Sequence, residues 1–380
     1  MRAWFCAAMA LCLITCGALA ADLPQATQKA IAGEKIDPAL LAGVDRELAV
    51  PPAWIEAAKR EKDVIILGTW NDRDFRALTE PFRERYPFVN LRYSRTGTQG
   101  RGMKVLVALQ EGRVIADVLT SIGDATGALD DAKALADLRD LPSYGSVPAE
   151  YVADDGTWVS YKLSFRCIAY NTAKLKLEDL PATWDDLVTS PKLRGGNLAL
   201  ANLADSWLLV LWGTKGEEWG KDFTRKLFQN LTPQRRKEGM NATAGLVVAG
   251  EADASLPAGE DRAQQYRAKG APVGYHCPAP IPMTVSQIAM LEKSSHKNAA
   301  RLFINWVLSR EGQILQHTAT HSVPVHKDLQ TPAFLAFPET IVGKPRAVRD
   351  DALIGSDLAK RMQAFWNAQW TENAERGKAR

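Results

Sequence analysis

The sequence is poor in the residues that hydrolytic and redox chemistry need. Only five histidines and five cysteines occur in 380 residues. No HExxH zinc helix and no nucleophile elbow is present, and no Ser or Cys stands with an obvious base nearby. No catalytic residue, metal ligand or cofactor site is assigned on this basis. Charge of one sign is lacking too: Lys and Arg number 47 against 44 Asp and Glu, a formal net charge of +3. A nucleic-acid binder would carry a far heavier basic surface, so nucleic acid is excluded as a partner. Beyond residue 20 no apolar run approaches the eighteen residues of a membrane span, and the mature chain is expected to be soluble.

The first twenty residues are different. A short positive start, Met1-Arg2, leads into the apolar stretch Ala3 to Leu19 and the small-x-small site Ala18-Leu19-Ala20. Residues 1–20 read as a cleavable signal peptide, which places the mature protein in the periplasm. Leu13-Ile14-Thr15-Cys16 resembles a lipobox, but Thr before Cys is uncommon there, so lipidation at Cys16 is the lesser reading. Cleavage removes Cys6, Cys12 and Cys16 and leaves Cys167 and Cys277. One disulfide is expected between them in an oxidising compartment, against two separate buried thiols.

The body reads as alternating strands and helices. Residues 22–60 form a preamble of short helical patterns broken at Pro38 and Pro51-Pro52. Val64 to Leu67 is a continuous apolar run, as in a buried strand. Asp72 is expected to cap a helix with Phe75, Leu78, Phe82 and Tyr86 on one face. Phe88 to Tyr93 reads as a strand, then Ser94 to Gly102 as a glycine-rich loop. A helix presenting Met103, Leu106, Val107 and Gln110 and a strand over Asp117 to Ser121 follow. Ser164 to Tyr170, Leu198 to Ala201, Ala254 to Leu256, Val273 to Tyr275 and Ile288 to Leu291 are further strands. Thr183 and Asp186 form a capping box. The longest clear helix runs from His296 to Arg310 and is interrupted at Gly312, and a last amphipathic helix covers Ala359 to Trp370. This order predicts an α/β fold with mixed or parallel sheets flanked by helices.

Several segments together resemble the bacterial periplasmic solute-binding proteins of ABC importers, in the cluster that includes the ferric-ion-binding proteins. They are Asp117-Val118-Leu119-Thr120-Ser121, Phe165 to Thr172 ending in Tyr-Asn-Thr, and Leu180-Pro181-Ala182-Thr183-Trp184-Asp185-Asp186-Leu187. Val285 to Leu291, Lys297 to Gln313 and Val323-Pro324-Val325 complete the set. Each is short; their order and spacing over residues 60–330 carry the resemblance. It implies a type II binding-protein fold with two lobes and a ligand cleft between them. Lobe 1 would comprise residues 61–160 and 286–330, and lobe 2 residues 161–285. The preamble, 22–60, and the C-terminal segment, 331–380, would pack on the lobes.

Candidate ligand-binding residues sit in the loops after strands. Trp70 and Asn71 follow the first strand. Arg95, Thr96, Gly97 and Thr98 belong to the glycine-rich loop before a helix, which suits an anion although it is neither a Walker A loop nor a GxGxxG turn. Ser121 and Asp124 follow the third strand, and Asp205 and Ser206 precede an apolar helix. In the ferric-binding relatives a Tyr pair supplies phenolate ligands. Alignment back from Tyr266 puts Glu260 and Asp261 there, and no Tyr-Tyr occurs in the chain, so direct binding of free iron is not expected. His317, His321 and His326 are spaced by four and five, but no Glu completes a zinc motif and Pro324 breaks the helix.

The resemblance implies a monomeric receptor that captures a small ligand, an anionic organic solute or an iron- or metal-related one. It would deliver that ligand to an ABC permease and ATPase in the inner membrane. An exported enzyme and a periplasmic sensor subunit on the same fold are the alternatives.

Overall fold

The structure, a computed structural model, describes residues 23–97, 101–348, 353 and 356–378. The signal peptide lies outside the described residues. Among the described residues three α-helices and a 3-10 turn, Pro38–Leu41, precede the first strand: α1 (Gln25–Gly33), α2 (Val44–Glu47) and α3 (Pro52–Glu61). They are fastened to the first half of the fold by acidic anchors. Thr27 donates to the buried Glu311 at 2.7 Å, Glu47 accepts from the Arg310 amide and Nε at 2.7 and 2.5 Å, and Glu61 accepts from the Ala299 amide at 2.8 Å.

The apolar run after Asp63 forms β1 (Asp63–Gly68), and α4 (Asp72–Arg85) returns along it. Asn71, rather than Asp72, caps α4 by accepting the Asp74 amide at 2.9 Å. β2 (Asn90–Arg95) begins two residues later than its apolar pattern suggests. The helix α5 (Arg101–Gln110) already includes the last two residues of the glycine-rich stretch. Its buried face carries Val105 and Ala108, whereas Met103 and Val107 are 48% and 47% exposed. The apolar residues fit two overlapping helical stripes, and contact with Ile122 and Ala125 selects the narrower one. Gly102 makes that contact possible, since a Cβ on it would lie 2.2 Å from the Ala125 Cβ. β3 (Val118–Thr120) and α6 (Thr126–Asp131) follow.

β4 (Val159–Asn171) has 13 residues, nearly twice the length of the expected Ser164–Tyr170 strand. The chain then forms α7 (Trp184–Leu187), β5 (Leu198–Ala201), α8 (Leu208–Lys215), α9 (Glu217–Leu231), β6 (Gln234–Arg236) and α10 (Met240–Ala249). β7 (Ala254–Gly259), α11 (Glu260–Arg267), β8 (Val273–His276) and the long β9 (Ile281–Met290) come next. The Thr183–Asp186 capping box at α7 is formed in both directions. α12 (Lys297–Leu308) ends two residues before the expected Arg310, and Ser309 between the helices caps α13 (Arg310–Thr320). Gly312 is needed inside α13 because a Cβ there would meet the Trp306 carbonyl at 2.0 Å. α14 (Pro338–Ile341), an additional short strand β10 (Arg346–Val348) and α15 (Asp357–Lys378) finish the chain.

The strand order is β2-β1-β3-β9-β4-β7-β5-β6, with β10 added to β9 and β8 to β4. β1, β2 and β3 are parallel, as are β5, β6 and β7; β9 runs antiparallel to β3 and to β4, and β4 runs antiparallel to β7. β4 therefore belongs to two sheets. Its residues 159–165 pair with β9 and residues 166–171 with β7 and β8. Cys167 of β4 is joined to Cys277 by a disulfide. One apolar core continues across this crossing, and a second surrounds Trp184, Trp207 and Trp366 on the β5–β7 side. α15 packs there, with Trp366 at 5.2 Å from the Phe228 ring.

Candidate functional site

The register of β4 creates a gap between two sets of strand ends. Val159 and Thr120 both pair with Ile288, so the first is level with the end of β3; Arg166 pairs with Gly259 at the end of β7. Seven residues separate these levels, roughly 23 Å of strand at ~3.3 Å per residue. The loops after β1, β2 and β3 thus face those after β5, β6 and β7 across a floor made by β4 and β9. Crevices at the carboxyl ends of such strands bind ligands. Charges on α4 and α11 act on one another. The Asp74 carboxyl in α4 is pushed up by burial first, with Asp261 from α11 adding to the push and Arg262 opposing it.

The first rim is organised by the second arginine of the glycine-rich stretch, which with Arg95 suits an anion by sequence but is turned inward by the fold. Arg101, at the start of α5, is 1% exposed. Its Nε donates to Thr96 Oγ1 at 2.6 Å and its Nη1 to the Thr120 and Ser121 carbonyls, both at 2.5 Å. Its Nη2 donates to the Gly68 and Thr96 carbonyls at 3.3 and 2.6 Å. One guanidinium thus joins the ends of β1, β2 and β3, a use of its rigid five-donor fork that Lys cannot copy. Ser121 holds a left-handed backbone, φ 53°, which costs a non-glycine residue about 1–3 kcal/mol. Arg101 on its carbonyl and the Gln287 carbonyl on its amide, at 2.7 Å, maintain it. Its hydroxyl lies 3.2 Å from Thr69 Oγ1 and 3.0 Å from the Tyr161 hydroxyl of β4.

The expected ligand residues divide accordingly. Trp70 is a packing residue, not a ligand cover: it is 3% exposed, its Nε1 donates to Gln316 at 2.9 Å, and the Tyr161 ring lies 5.0 Å away. Asn71 is exposed but its side chain is occupied as the α4 cap. Thr96 gives its carbonyl and hydroxyl oxygen to Arg101. Arg95 and Gly97 are exposed at the end of the edge strand β2. Thr98 lies outside the described residues, and Asp124 lies in the turn 123–125 after β3. The second rim carries Asp205 and Ser206 in the turn after β5, half-buried. Ser206 donates to the Leu203 carbonyl at 3.3 Å.

Glu260 and Asp261 open α11 at the end of β7. Glu260 is fully buried, and its Oε2 accepts the Phe165 amide at 2.8 Å. Burial, then the neighbouring Asp261 carboxylate, push the Glu260 carboxyl up to about 8, against the pull of Arg166. Arg166, unselected in the sequence, sits beside them on β4 and donates to the Phe165 carbonyl at 3.2 Å. The site therefore offers hydroxyls and Arg95 on one rim, and a buried acid, a second acid and Arg166 on the other.

Two other polar clusters lie away from this gap. Asp117 accepts from His296 Nδ1 at 2.9 Å and from Ser294 Oγ at 2.7 Å, at the opposite end of β3. Ser294 bonds the acid rather than the imidazole, while the exposed Ser295 hydroxyl lies 3.5 Å from His296 Nδ1. His317 and His321 line an outer groove of about 480 Å³ with Glu34 and Asp37, their rings 6.3 Å apart. His326 is buried elsewhere, 3.6 Å from Glu47. Among the described residues no group of three or more His, Cys, Asp or Glu side chains could hold a metal ion. Among them, too, no helix is long and apolar enough to cross a membrane.

Comparison with known proteins agrees with this architecture. A family model described as bacterial extracellular solute-binding protein matches residues 77–340. An Fe(3+)-binding periplasmic protein of Serratia marcescens is 27% identical over 221 residues, which cover 55% of this chain and 64% of that protein. The match to another curated relative, from Haemophilus influenzae, spans 44% of its length. The chain thus spans about half to two thirds of the length of the curated relatives it matches. Iron-bound HitA from Pseudomonas aeruginosa has the same fold, with a TM-score of 0.65 and 21% identity over 81% of this chain and 99% of that one. The periplasmic binding protein AfuA from Actinobacillus pleuropneumoniae, with exogenous fructose-6-phosphate bound, gives a TM-score of 0.62 and 18% identity over 81% and 98%.

Proposed function

The chain belongs to the family of bacterial extracellular solute-binding proteins, and on that premise we propose that it is a periplasmic receptor. It captures a small solute between its two lobes and hands it to an ABC permease and its ATPase in the inner membrane. Its work is binding and lobe closure, with no covalent step. The observation that carries this reading is the facing of two sets of strand ends across the β4–β9 floor, each set with polar groups left toward the gap.

The solute class follows from the signs of those groups. Arg95 and the Ser121–Thr69–Tyr161 hydroxyls suit an anionic end. Glu260 and Asp261 suit a hydrogen-bond donor at the other end. The AfuA structure, which holds a sugar phosphate, supports an organic solute of that kind on this fold. Bare ferric ion is the weaker match, because two carboxylates stand where the ferric-binding relatives supply phenolates.

A thermal-shift panel tests the reading, with phosphorylated sugars, organic acids, amines, sugars and ferric salts as probes. A member of the anionic organic set should raise the melting temperature by mass action. Arg95→Ala should abolish that rise while leaving the solute-free melting temperature unchanged. No response to any probe, or an unaltered response in Arg95→Ala, would contradict it. Ferric ion should give no visible phenolate charge-transfer band.

A further inference from the structure

Glu260 is a buried acid left half used. Phe165 is the last β4 residue paired with β9, and Arg166 is the first paired with β7. The Phe165 amide donates to Glu260 Oε2, so the carboxyl grips the connecting strand where it changes sheets. Its other oxygen, Oε1, is buried and has no hydrogen-bond partner. A bare, ionised carboxylate oxygen in such a place is costly. A proton lowers the cost by removing the charge, and a donor supplied by something bound removes it by pairing the oxygen.

We propose that Glu260 is a proton-exchange latch of the cleft. In the empty protein the carboxyl carries a proton. A solute presenting an ammonium or hydroxyl donor to Oε1 displaces that proton to water as the lobes close. The use of the latch in capture rests on the receptor reading; its protonation in the empty protein does not.

The charged and titratable neighbours are consistent with this. On α11, Asp261 disfavours a second negative charge beside it. On β4, Arg166 favours one, but burial outweighs it and holds the carboxyl at about 8. On β8, the Tyr275 hydroxyl donates to the Ala258 carbonyl at 3.2 Å and accepts the Cys167 amide at 3.1 Å, so it is engaged elsewhere. On α4, Asp74 responds to Asp261 and Arg262. Proton and solute donor therefore compete for one oxygen, and affinity for such a solute should rise with pH up to about 8, by as much as tenfold per pH unit.

Infrared titration of the full mature chain without solute, between about pH 6 and about pH 9.5, tests the latch. A protonated carboxyl should ionise near pH 8 in the native protein and be missing from Glu260→Gln. Asp261→Asn should lower its midpoint and Arg166→Gln should raise it, which keeps the test open should Glu260→Gln fail to fold. A chain with every carboxyl ionised above about pH 6, or a high midpoint that persists in Glu260→Gln, would overturn the latch while leaving the receptor reading intact. A panel in which no probe binds would overturn the receptor reading while leaving the titration standing.

Discussion

Each rim of the cleft buries one ionisable side chain at its strand ends, and the two are treated differently. On the first rim, Arg101 is enclosed with all of its donor groups matched to carbonyl and hydroxyl oxygens of β1, β2 and β3. On the second, Glu260 is enclosed with one oxygen bonded to Phe165 and the other bare. A fully partnered buried charge rigidifies, whereas a half-partnered one responds to what can reach it. The first rim is thus a fixed frame that sets the Thr96 and Ser121 positions in place. The second rim is the side whose state depends on proton and solute.

This contrast can be broken by mutation, most severely at Arg101. Arg101→Met should strand five acceptor contacts and lower stability by roughly 3–5 kcal/mol in urea unfolding, as expected for breaking a buried charge network. Arg101→Lys should not rescue it. A loss under about 1 kcal/mol would mean that the rim stands without its tie.

The next effect is on the connecting strand. The disulfide closes a sequence separation of 110 residues between β4 and the end of β8. Replacing Cys167 and Cys277 together by Ser should cost roughly 2–4 kcal/mol, read by the same unfolding curve.

Dependent on pH rather than constant is the change at Glu260→Gln. The folded carboxyl sits at about 8, above its ordinary 4.5, so the folded state holds the proton more tightly. The stabilisation is full below about 4.5, declines as pH rises through the interval, and is gone above about 8. Native protein should therefore lose stability relative to Glu260→Gln between those limits and run parallel to it above them. A constant difference across the range would remove the responsive half of the comparison. The smallest effect is at the α4 cap: Asn71→Ala should cost about 1 kcal/mol. Asp72→Ala should cost less, since Asp72 caps nothing.

Much of the frame was legible in the sequence. The run 64–67, the capping box Thr183–Asp186 and the strand–helix alternation all state their structures locally. Burial that depends on a distant partner was not. Trp70 and Arg101 stand in or beside polar loops and look available to a ligand, yet Tyr161 and the β3 carbonyls, brought in by tertiary folding, enclose them. Met103 and Val107 look like a core face because periodicity alone cannot choose between two overlapping stripes. The length of β4 was hidden because its first residues, with Ser160 and Lys162, do not read as a continuous apolar run. The pair Glu260-Asp261 was located through the family pattern, while the bare Oε1 is a property of packing that no spacing encodes.

The most direct test of a fixed rim facing a responsive one is amide hydrogen exchange at two positions in one experiment. Thr96, whose amide donates to the Gly68 carbonyl at 2.9 Å inside the Arg101 frame, reports the first rim. Phe165 reports the second. After correction for the intrinsic rate, protection of Phe165 should change between about pH 6.5 and about pH 9 while that of Thr96 stays constant, and Glu260→Gln should flatten the Phe165 response. Equal changes at both amides, or none at Phe165, would contradict the account.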